Sequence, residues 1–190
     1  MRHIPNALCV LRMLLLVPIA GLLLAGEYRL TLLLFGFAAA TDGLDGFLAK
    51  RYGWTSELGK ILDPLADKIL LVGVFVILAA LGRVPVWLAC VAVARDIVIT
   101  AGAIIYHRLY GHLQGRPTAV SKLNTLCQIL YLLSIVAAGA LARDWLVATT
   151  VLGALVFVTT VVSGLDYIIT YTRKAIDASR RPGLPGAHLR

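Results

Sequence analysis

Residues 42–67 read DGLDGFLAKRYGWTSELGKILDPLAD and contain four aspartates at close, regular spacings. Asp42 and Asp45 form one pair, and Asp63 and Asp67 form the second. Residues three or four apart share one face of a helix, so each pair is expected to line one side of its own helix. The spacing therefore predicts two helices that carry paired carboxylates.

The sequence on both sides of this stretch is apolar. Of the 190 residues, 59% are hydrophobic, and the mean hydropathy is +0.86. A transmembrane helix needs about 20 mostly apolar residues. Six such stretches lie near residues 8–26, 28–49, 62–82, 84–107, 119–142 and 145–172. The predicted fold class is an all-α membrane protein: residues 1–173 form a bundle of six transmembrane helices with a cytoplasm-facing polar cavity, and residues 174–190 form a basic C-terminal tail.

The net charge of +8 is unevenly distributed along the chain. If six spans put both termini on one side, the other side holds only Arg29, Arg83 and Arg143 among the basic residues of the loops. An excess of Lys and Arg marks the cytoplasmic face, so both termini and residues 42–67 are expected there. This distribution favours a membrane over nucleic acid as the partner. The tail is expected either to rest on anionic headgroups or to be a solvated end.

Small and basic residues accompany the aspartates. Gly46 and Ala49 share the face of the first pair, and Gly59 precedes the second, in the predicted loop. Such residues let a ligand lie against the backbone, or they permit close packing of helices in a membrane. Lys50 and Arg51 offer positive charge to a phosphate, and they can also anchor a helix end at the interface.

Four carboxylates brought together at one interface would repel one another without cations. Mg²⁺ and Mn²⁺ suit all-oxygen ligation completed by water and substrate phosphate. The stretch contains neither His nor Cys, which argues against zinc. Charged residues inside membrane spans are costly, which makes the aspartates candidates for function.

In order and spacing these residues resemble the signature of the CDP-alcohol phosphatidyltransferases. The match runs through Asp42, Asp45, Gly46 and Ala49, then Gly59, Asp63 and Asp67, and it departs at Lys50, where the family has Arg. The six-span layout is similar to the family as well. The resemblance implies an enzyme of phospholipid biosynthesis that transfers a phosphatidyl group from CDP-diacylglycerol to an alcohol and releases CMP.

The resemblance also implies roles for individual residues. Asp42, Asp45 and Asp63 would hold one or two divalent ions, Mg²⁺ or Mn²⁺, which bind the donor diphosphate. Asp67 would be the catalytic general base and a possible further metal ligand. The CDP site would be lined by Gly46, Ala49, Lys50 and Gly59, with the diphosphate role of position 50 open between Lys50 and Arg51.

The acceptor is expected to be phosphatidylglycerol, as in cardiolipin synthases. Residues 116–125 are similar to those enzymes, whereas phosphatidylglycerophosphate synthases, which use glycerol 3-phosphate, tend to have a second lysine where Asn124 stands. One cation fewer fits a phosphodiester acceptor, although glycerol 3-phosphate stays the alternative. Candidate acceptor-binding residues are Arg51, Arg95, Arg116, Lys122 and Asn124.

Three further expectations complete the prediction. Arg95 and Asp96 either face the polar cleft or pair with Lys68 or Asp166 to hold helices together. The resemblance suggests a homodimer in the bacterial inner membrane. A cation transporter is the alternative from another functional class, since intramembrane carboxylates also line ion pathways.

Overall fold

The computed structural model describes the backbone of residues 4–52, 57–110, 119–143 and 145–179. Its side chains are described over residues 10–41, 68–102, 119–143 and 145–170. The described residues form six helices: α1 (Ile4–Leu24), α2 (Tyr28–Tyr52), α3 (Glu57–Ala80), α4 (Val86–Tyr110), α5 (Ala119–Leu141) and α6 (Leu146–Ser179). The prediction of an all-α chain with six helical segments is confirmed.

Two helix ends differ from the predicted spans. Helix α3 begins at Glu57, so Gly59, which was expected in the loop, lies in its first turn. Helix α6 continues to Ser179, past the apolar stretch and into the predicted tail. The backbone can continue because no proline occurs in this region before Pro182. Hydropathy marks where a chain is apolar, and a helix can extend beyond that region.

The connections α1–α2, α3–α4 and α5–α6 share one type of helix ending. Gly26 and Gly82 have φ of 75° and 68°, and the next amides, of Glu27 and Arg83, donate to carbonyls five residues back at 2.8 and 2.9 Å. This is the Schellman pattern, which favours glycine because a side chain is strained at positive φ. Helix α5 ends in the same way, but the residue with positive φ is an alanine, Ala142, with φ 48°.

Helices α1 and α5 organise the packing of the bundle. Helix α1 packs against α2 and α3, α5 packs against α2, α3 and α6, and α4 packs against α3 and α6. At Gly73 of α3, an added Cβ would lie 2.7 Å from the Cδ atoms of Leu16, so the glycine allows α1 and α3 to approach closely. The core between the helices includes Ile19, Leu23, Val74, Phe75, Leu78, Leu132, Val136 and Val156.

The outer surface of the bundle is apolar. Leu14, Val17, Leu33, Leu146 and Val147 are each 60–77% exposed. Exposed apolar surface of this extent is unusual on a soluble monomer and fits contact with lipid. Among the described residues, helical segments Ala119–Leu141 and Leu146–Thr170 are long and apolar enough to cross a membrane, judged by length and composition.

The three short connections meet at one end of the bundle. Tyr28, the first residue of α2, lines a cavity there together with Arg83 and Arg143 from the other two connections. Since successive helices run in alternating directions, the end of α2 and the start of α3 fall at the opposite end. The fold therefore separates the segments 42–52 and 57–67 from Arg29, Arg83 and Arg143.

The Schellman endings make a first prediction. We expect Ala142→Gly to raise the free energy of unfolding by about 1 kcal/mol, because glycine removes the strain of a side chain at positive φ. Gly82→Ala should lower it by a similar amount for the same reason. Thermal unfolding of both variants in one detergent measures the effect. Destabilisation by Ala142→Gly would contradict the assigned ending of α5.

Candidate active site

Residues 42–52 form the end of α2, and residues 57–67 form the start of α3. Asp42 and Asp45 lie in the second half of α2, and Asp63 and Asp67 lie in the first half of α3. Both segments are helical, as the spacing predicted, so each pair has the register of one helix face. The side chains of residues 42–67 lie outside the described residues, and the roles assigned to them stay predictions.

The residues directly before and after this stretch have defined side-chain hydrogen bonds. Thr41 is buried, and its Oγ1 donates to the carbonyl of Ala38 at 2.8 Å. Lys68 is half-buried, and its Nζ donates to Oγ1 of Thr100 on α4 at 2.6 Å. Asp42 and Asp67 are thus each adjacent in sequence to a side chain with a defined hydrogen bond.

A cavity of about 190 Å³ is lined by Lys68 and by Ala38, whose carbonyl accepts the hydrogen bond of Thr41. Its polar lining is Arg12 of α1, Lys68 of α3, Asp96 of α4 and Thr125 of α5. The apolar lining consists of Phe35, Ala38, Ala39, Leu70, Leu71 and Ile129. Five helices therefore enclose one space in which two cations and one carboxylate face aliphatic and aromatic side chains.

Arg95 and Asp96 form a buried ion pair next to this cavity. Each residue is 7% exposed, and Nη1 of Arg95 lies 2.6 Å from Oδ1 of Asp96. Nη2 of Arg95 donates to Oγ of Ser121 on α5 at 2.7 Å and also to Oγ of Ser163 on α6. The guanidinium thus links α4 to α5 and α6. Its Nε–H has no hydrogen-bond partner among the described residues.

The sequence left open whether these residues face the cleft or hold helices together, and the arrangement has a part of each alternative. Arg95 does hold helices together, but its partners are Ser121, Ser163 and the adjacent Asp96 and not Asp166 or Lys68. Asp96 also lines the cavity, which is the position expected of a cleft residue. Lys68 contacts α4 through the hydroxyl group of Thr100. This hydroxyl accepts a hydrogen bond from Nζ of Lys68 and donates one to the main-chain carbonyl of Asp96 at 2.7 Å.

Asn124 has a packing role in the structure. It is fully buried, and its Oδ1 accepts hydrogen bonds from Thr159 and Thr160 of α6, both at 2.9 Å. Its Nδ2 and the Oε1 of Gln128, one turn further along α5, are buried without partners among the described residues. The Asn124 carbonyl therefore faces α6, so the prediction that Asn124 binds the acceptor has no described contact to support it.

Of the other acceptor candidates, only Lys122 has a described side chain besides Arg95. Lys122 is exposed in the first turn of α5. Arg51 belongs to α2, but its side chain lies outside the described residues, as does the whole of Arg116. Thr100 and Ser163 were not expected from the sequence to act near the site. Both carry hydroxyl groups on otherwise apolar helices, but only the packing shows that Thr100 accepts from Lys68 and Ser163 from Arg95.

Comparison with known proteins identifies the relatives of this chain. The model of the CDP-alcohol phosphatidyltransferase family matches residues 2–162. A Homo sapiens protein named cardiolipin synthase (CMP-forming) is 30% identical over 190 aligned residues, which cover 91% of this chain and 62% of that protein. The chain thus spans about three fifths of the length of this relative.

Relatives with a second name are also found. A Pseudomonas fluorescens protein named CDP-diacylglycerol--glycerol-3-phosphate 3-phosphatidyltransferase is 42% identical over 106 residues, covering 52% of this chain and 53% of that protein. A Mycobacterium tuberculosis protein named probable phosphatidylglycerophosphate synthase is 31% identical over 137 residues, covering 71% of this chain and 62% of that protein. Both names considered from the sequence therefore occur among the relatives.

The buried ion pair makes a second prediction. Asp96→Ala should lower the free energy of unfolding by about 3–5 kcal/mol, because it leaves the buried guanidinium of Arg95 without its counter-charge. The matched control is Asp166→Ala, since Asp166 is half-buried on α6 and has no hydrogen bond or ion pair among the described residues. Thermal unfolding in detergent compares the two. Equal losses would show that the pair has no special structural role.

Proposed function

The chain belongs to the CDP-alcohol phosphatidyltransferase family, and on that basis we propose that it transfers a phosphatidyl group from CDP-diacylglycerol to an alcohol and releases CMP. The observation that carries this proposal is the pair of helical aspartate motifs on α2 and α3, next to a cavity lined by Arg12, Lys68 and Asp96. Family membership and the grouping of the acids at one end of the bundle favour a phospholipid-synthesising transferase over a cation transporter.

The residues at this end fit a divalent cation. Asp42, Asp45, Asp63 and Asp67 supply only carboxylate oxygens, the donor type that Mg²⁺ and Mn²⁺ prefer. Helical register puts two of them on one face of α2 and two on one face of α3. One or two such ions would neutralise negative charge on the donor diphosphate and on departing CMP.

In this proposal Asp67 is the general base. It accepts the proton of the acceptor hydroxyl, whose oxygen forms a bond to the phosphatidyl phosphorus while the bond from that phosphorus to the CMP oxygen breaks. An alcohol has a pKa far above 7, so a nearby proton acceptor is needed for attack. Lys68, the next residue, is tied to Thr100, which restrains the start of the α3 segment that follows Asp67.

The CDP moiety would lie against the small residues of the two helices. Gly46 and Ala49 on α2 and Gly59 in the first turn of α3 leave space for it beside the backbone. Lys50 would contact the diphosphate as a point charge. Arg51 would provide the two-pronged contact that a lysine at position 50 does not make, or it would bind the acceptor.

The adjoining cavity supports a lipid acceptor, with phosphatidylglycerol as the proposed one and cardiolipin as the product. Arg12 and Lys68 offer positive charge to a phosphodiester, while Phe35, Leu70 and Ile129 offer an apolar surface to a glycerol backbone and acyl chains. Arg95, Arg116 and Lys122 are proposed to add charge near the acceptor. The absence of a lysine at position 124 supports the same acceptor, because one cation fewer fits a phosphodiester. This argument does not require Asn124 to contact the acceptor.

Glycerol 3-phosphate is the second candidate acceptor. It is favoured by the 42% identity to the Pseudomonas fluorescens protein, whose name specifies glycerol 3-phosphate. That match covers 52% of this chain, whereas the human protein named cardiolipin synthase matches over 91%.

The same proposal places six helices across a membrane with the aspartates at its cytoplasmic face. The exposed apolar surface and the separation of Arg29, Arg83 and Arg143 from the other basic residues support this orientation. Residues 1–173 would form the membrane domain and residues 174–190 a basic segment at the headgroups, of which 174–179 continue α6. On the basis of the family resemblance, the chain is also proposed to form a homodimer in the bacterial inner membrane.

The reaction makes a third prediction. Purified chain in detergent, with Mg²⁺ or Mn²⁺ and CDP-diacylglycerol, should release CMP when phosphatidylglycerol is added and form cardiolipin. Release should stop when the divalent ion is chelated. Release only with glycerol 3-phosphate would keep the chemistry and change the acceptor; no release with either acceptor would argue against the proposed reaction.

The role of the aspartates makes a fourth prediction. Asp67→Asn keeps the size of the side chain but removes the proton acceptor, so we expect CMP release to fall by about 10²–10⁴-fold. Asp63→Asn should abolish it through loss of a carboxylate ligand. Glu27→Gln removes one carboxylate at the other end of the bundle, where Glu27 is exposed, and should retain full activity. Wild-type turnover by both aspartate variants would refute the assignment.

A further inference from the structure

We propose that the bundle end opposite the aspartates binds the phosphate group of an anionic phospholipid. This site is separate from the proposed active site, because it lies where the three short helix connections meet. Under the proposed membrane orientation, its ligand would come from the leaflet that does not supply the active site. The reaction proposed above requires no such site.

The site is a cavity of about 350 Å³ at the end where the three connections meet. Tyr28 is the first residue of α2, Arg83 comes from the α3–α4 connection, and Arg143 and Trp145 come from the α5–α6 connection. The volume lies in the range of pockets that take small ligands. Gly139 of α5 shapes one wall, because an added Cβ would lie 2.6 Å from Cγ of Tyr28.

Two guanidinium groups at this cavity are available to an anion. Arg83 lies over the ring of Tyr28, with Cζ 5.6 Å from the ring centroid. Neither the side chain of Arg83 nor that of Arg143 has a hydrogen bond or ion pair among the described residues, and both side chains are exposed. Planar guanidinium groups bind phosphate oxygens by paired, charge-assisted hydrogen bonds. Two of them at one cavity make a site suited to a phosphate ester.

Arg29, at the same end of the bundle, differs from Arg83 and Arg143 because its side chain has a structural hydrogen bond. Its Nε donates to the carbonyl of Ala140 at 3.1 Å, in the last turn of α5, and it does not line the cavity. Among the described residues, this end has one acid, Glu27, which is exposed. In sequence, the three connections with their flanking residues contain three arginines and two acids, Glu27 and Asp144.

The surroundings favour a lipid phosphate over free phosphate. Trp145 and Tyr28 are residue types enriched at membrane interfaces, where a polar edge meets headgroups and the ring meets acyl chains. Leu146, which also lines the cavity, is 75% exposed, and its neighbour Val147 is 77% exposed. An acyl chain could therefore follow the outer face of α6 while its phosphate contacts Arg83 and Arg143.

Lipid retention by the purified full-length chain tests the site. Native mass spectrometry in detergent would compare phosphatidylserine, which is neither the CDP-linked donor nor the proposed acceptor, with zwitterionic phosphatidylcholine. We expect the wild-type chain to retain phosphatidylserine preferentially. The double variant Arg83→Gln with Arg143→Gln should bind it about thirtyfold more weakly, since each basic residue near a membrane surface contributes on the order of 1 kcal/mol. Each single variant should show an intermediate loss.

Arg29→Gln is the matched control, because it removes the same charge from the same end without altering the cavity lining. It should retain phosphatidylserine in the fraction of protein that stays folded, which thermal unfolding measures in parallel. Equal loss in Arg29→Gln and the double variant would overturn the site in favour of general charge attraction. Unchanged retention by the double variant would overturn it directly.

A competition measurement distinguishes a lipid phosphate from inorganic phosphate as the ligand. Inorganic phosphate at millimolar concentration should not displace phosphatidylserine from the wild-type chain, because it lacks the apolar contacts. Full displacement would overturn the assignment of a lipid ligand. Retention needs no turnover, so a chain that binds phosphatidylserine but releases no CMP would contradict the proposed function and support this site.

Discussion

The ion pair of Arg95 and Asp96 is the interaction on which the arrangement of α4, α5 and α6 depends. A charge inside an apolar bundle is unfavourable unless a counter-charge and hydrogen-bond acceptors surround it. Asp96 supplies the counter-charge at 2.6 Å, and Ser121 and Ser163 supply hydroxyl oxygens from two other helices. Satisfying one guanidinium therefore sets the relative positions of three helices at the end where the acceptor is expected.

The same requirement shapes the cavity beside the aspartate motifs. Lys68 is held by Thr100, whose hydroxyl in turn donates to the backbone of Asp96. This links α3, immediately after Asp67, to the helix that carries the ion pair. The cavity consequently has charged residues on α1, α3 and α4 and apolar residues between them. Such a lining suits a substrate that has both a phosphate and a hydrocarbon part.

The two ends of the bundle differ in chemistry because the chain alternates direction at every connection. One end has the helical segments that carry the two aspartate motifs. The other has three tight Schellman-type endings, and Arg83 and Arg143 line one cavity there. Phosphate-binding residue types are therefore proposed at both ends of the bundle.

The sequence by itself determined the class of the fold and the chemistry of its motif. Apolar stretches of about 20 residues predicted six helices, and the spacing of Asp42, Asp45, Asp63 and Asp67 indicated two carboxylate faces, because both signals are local along the chain. It missed the extension of α6 and put Gly59 in a loop, since hydropathy does not mark helix ends. The tertiary structure alone decided which hydroxyl groups satisfy Arg95, that Asn124 faces α6, and that Arg83 and Arg143 share a cavity. These contacts join residues far apart in the chain, and they depend on helix rotation and packing, which no local pattern encodes.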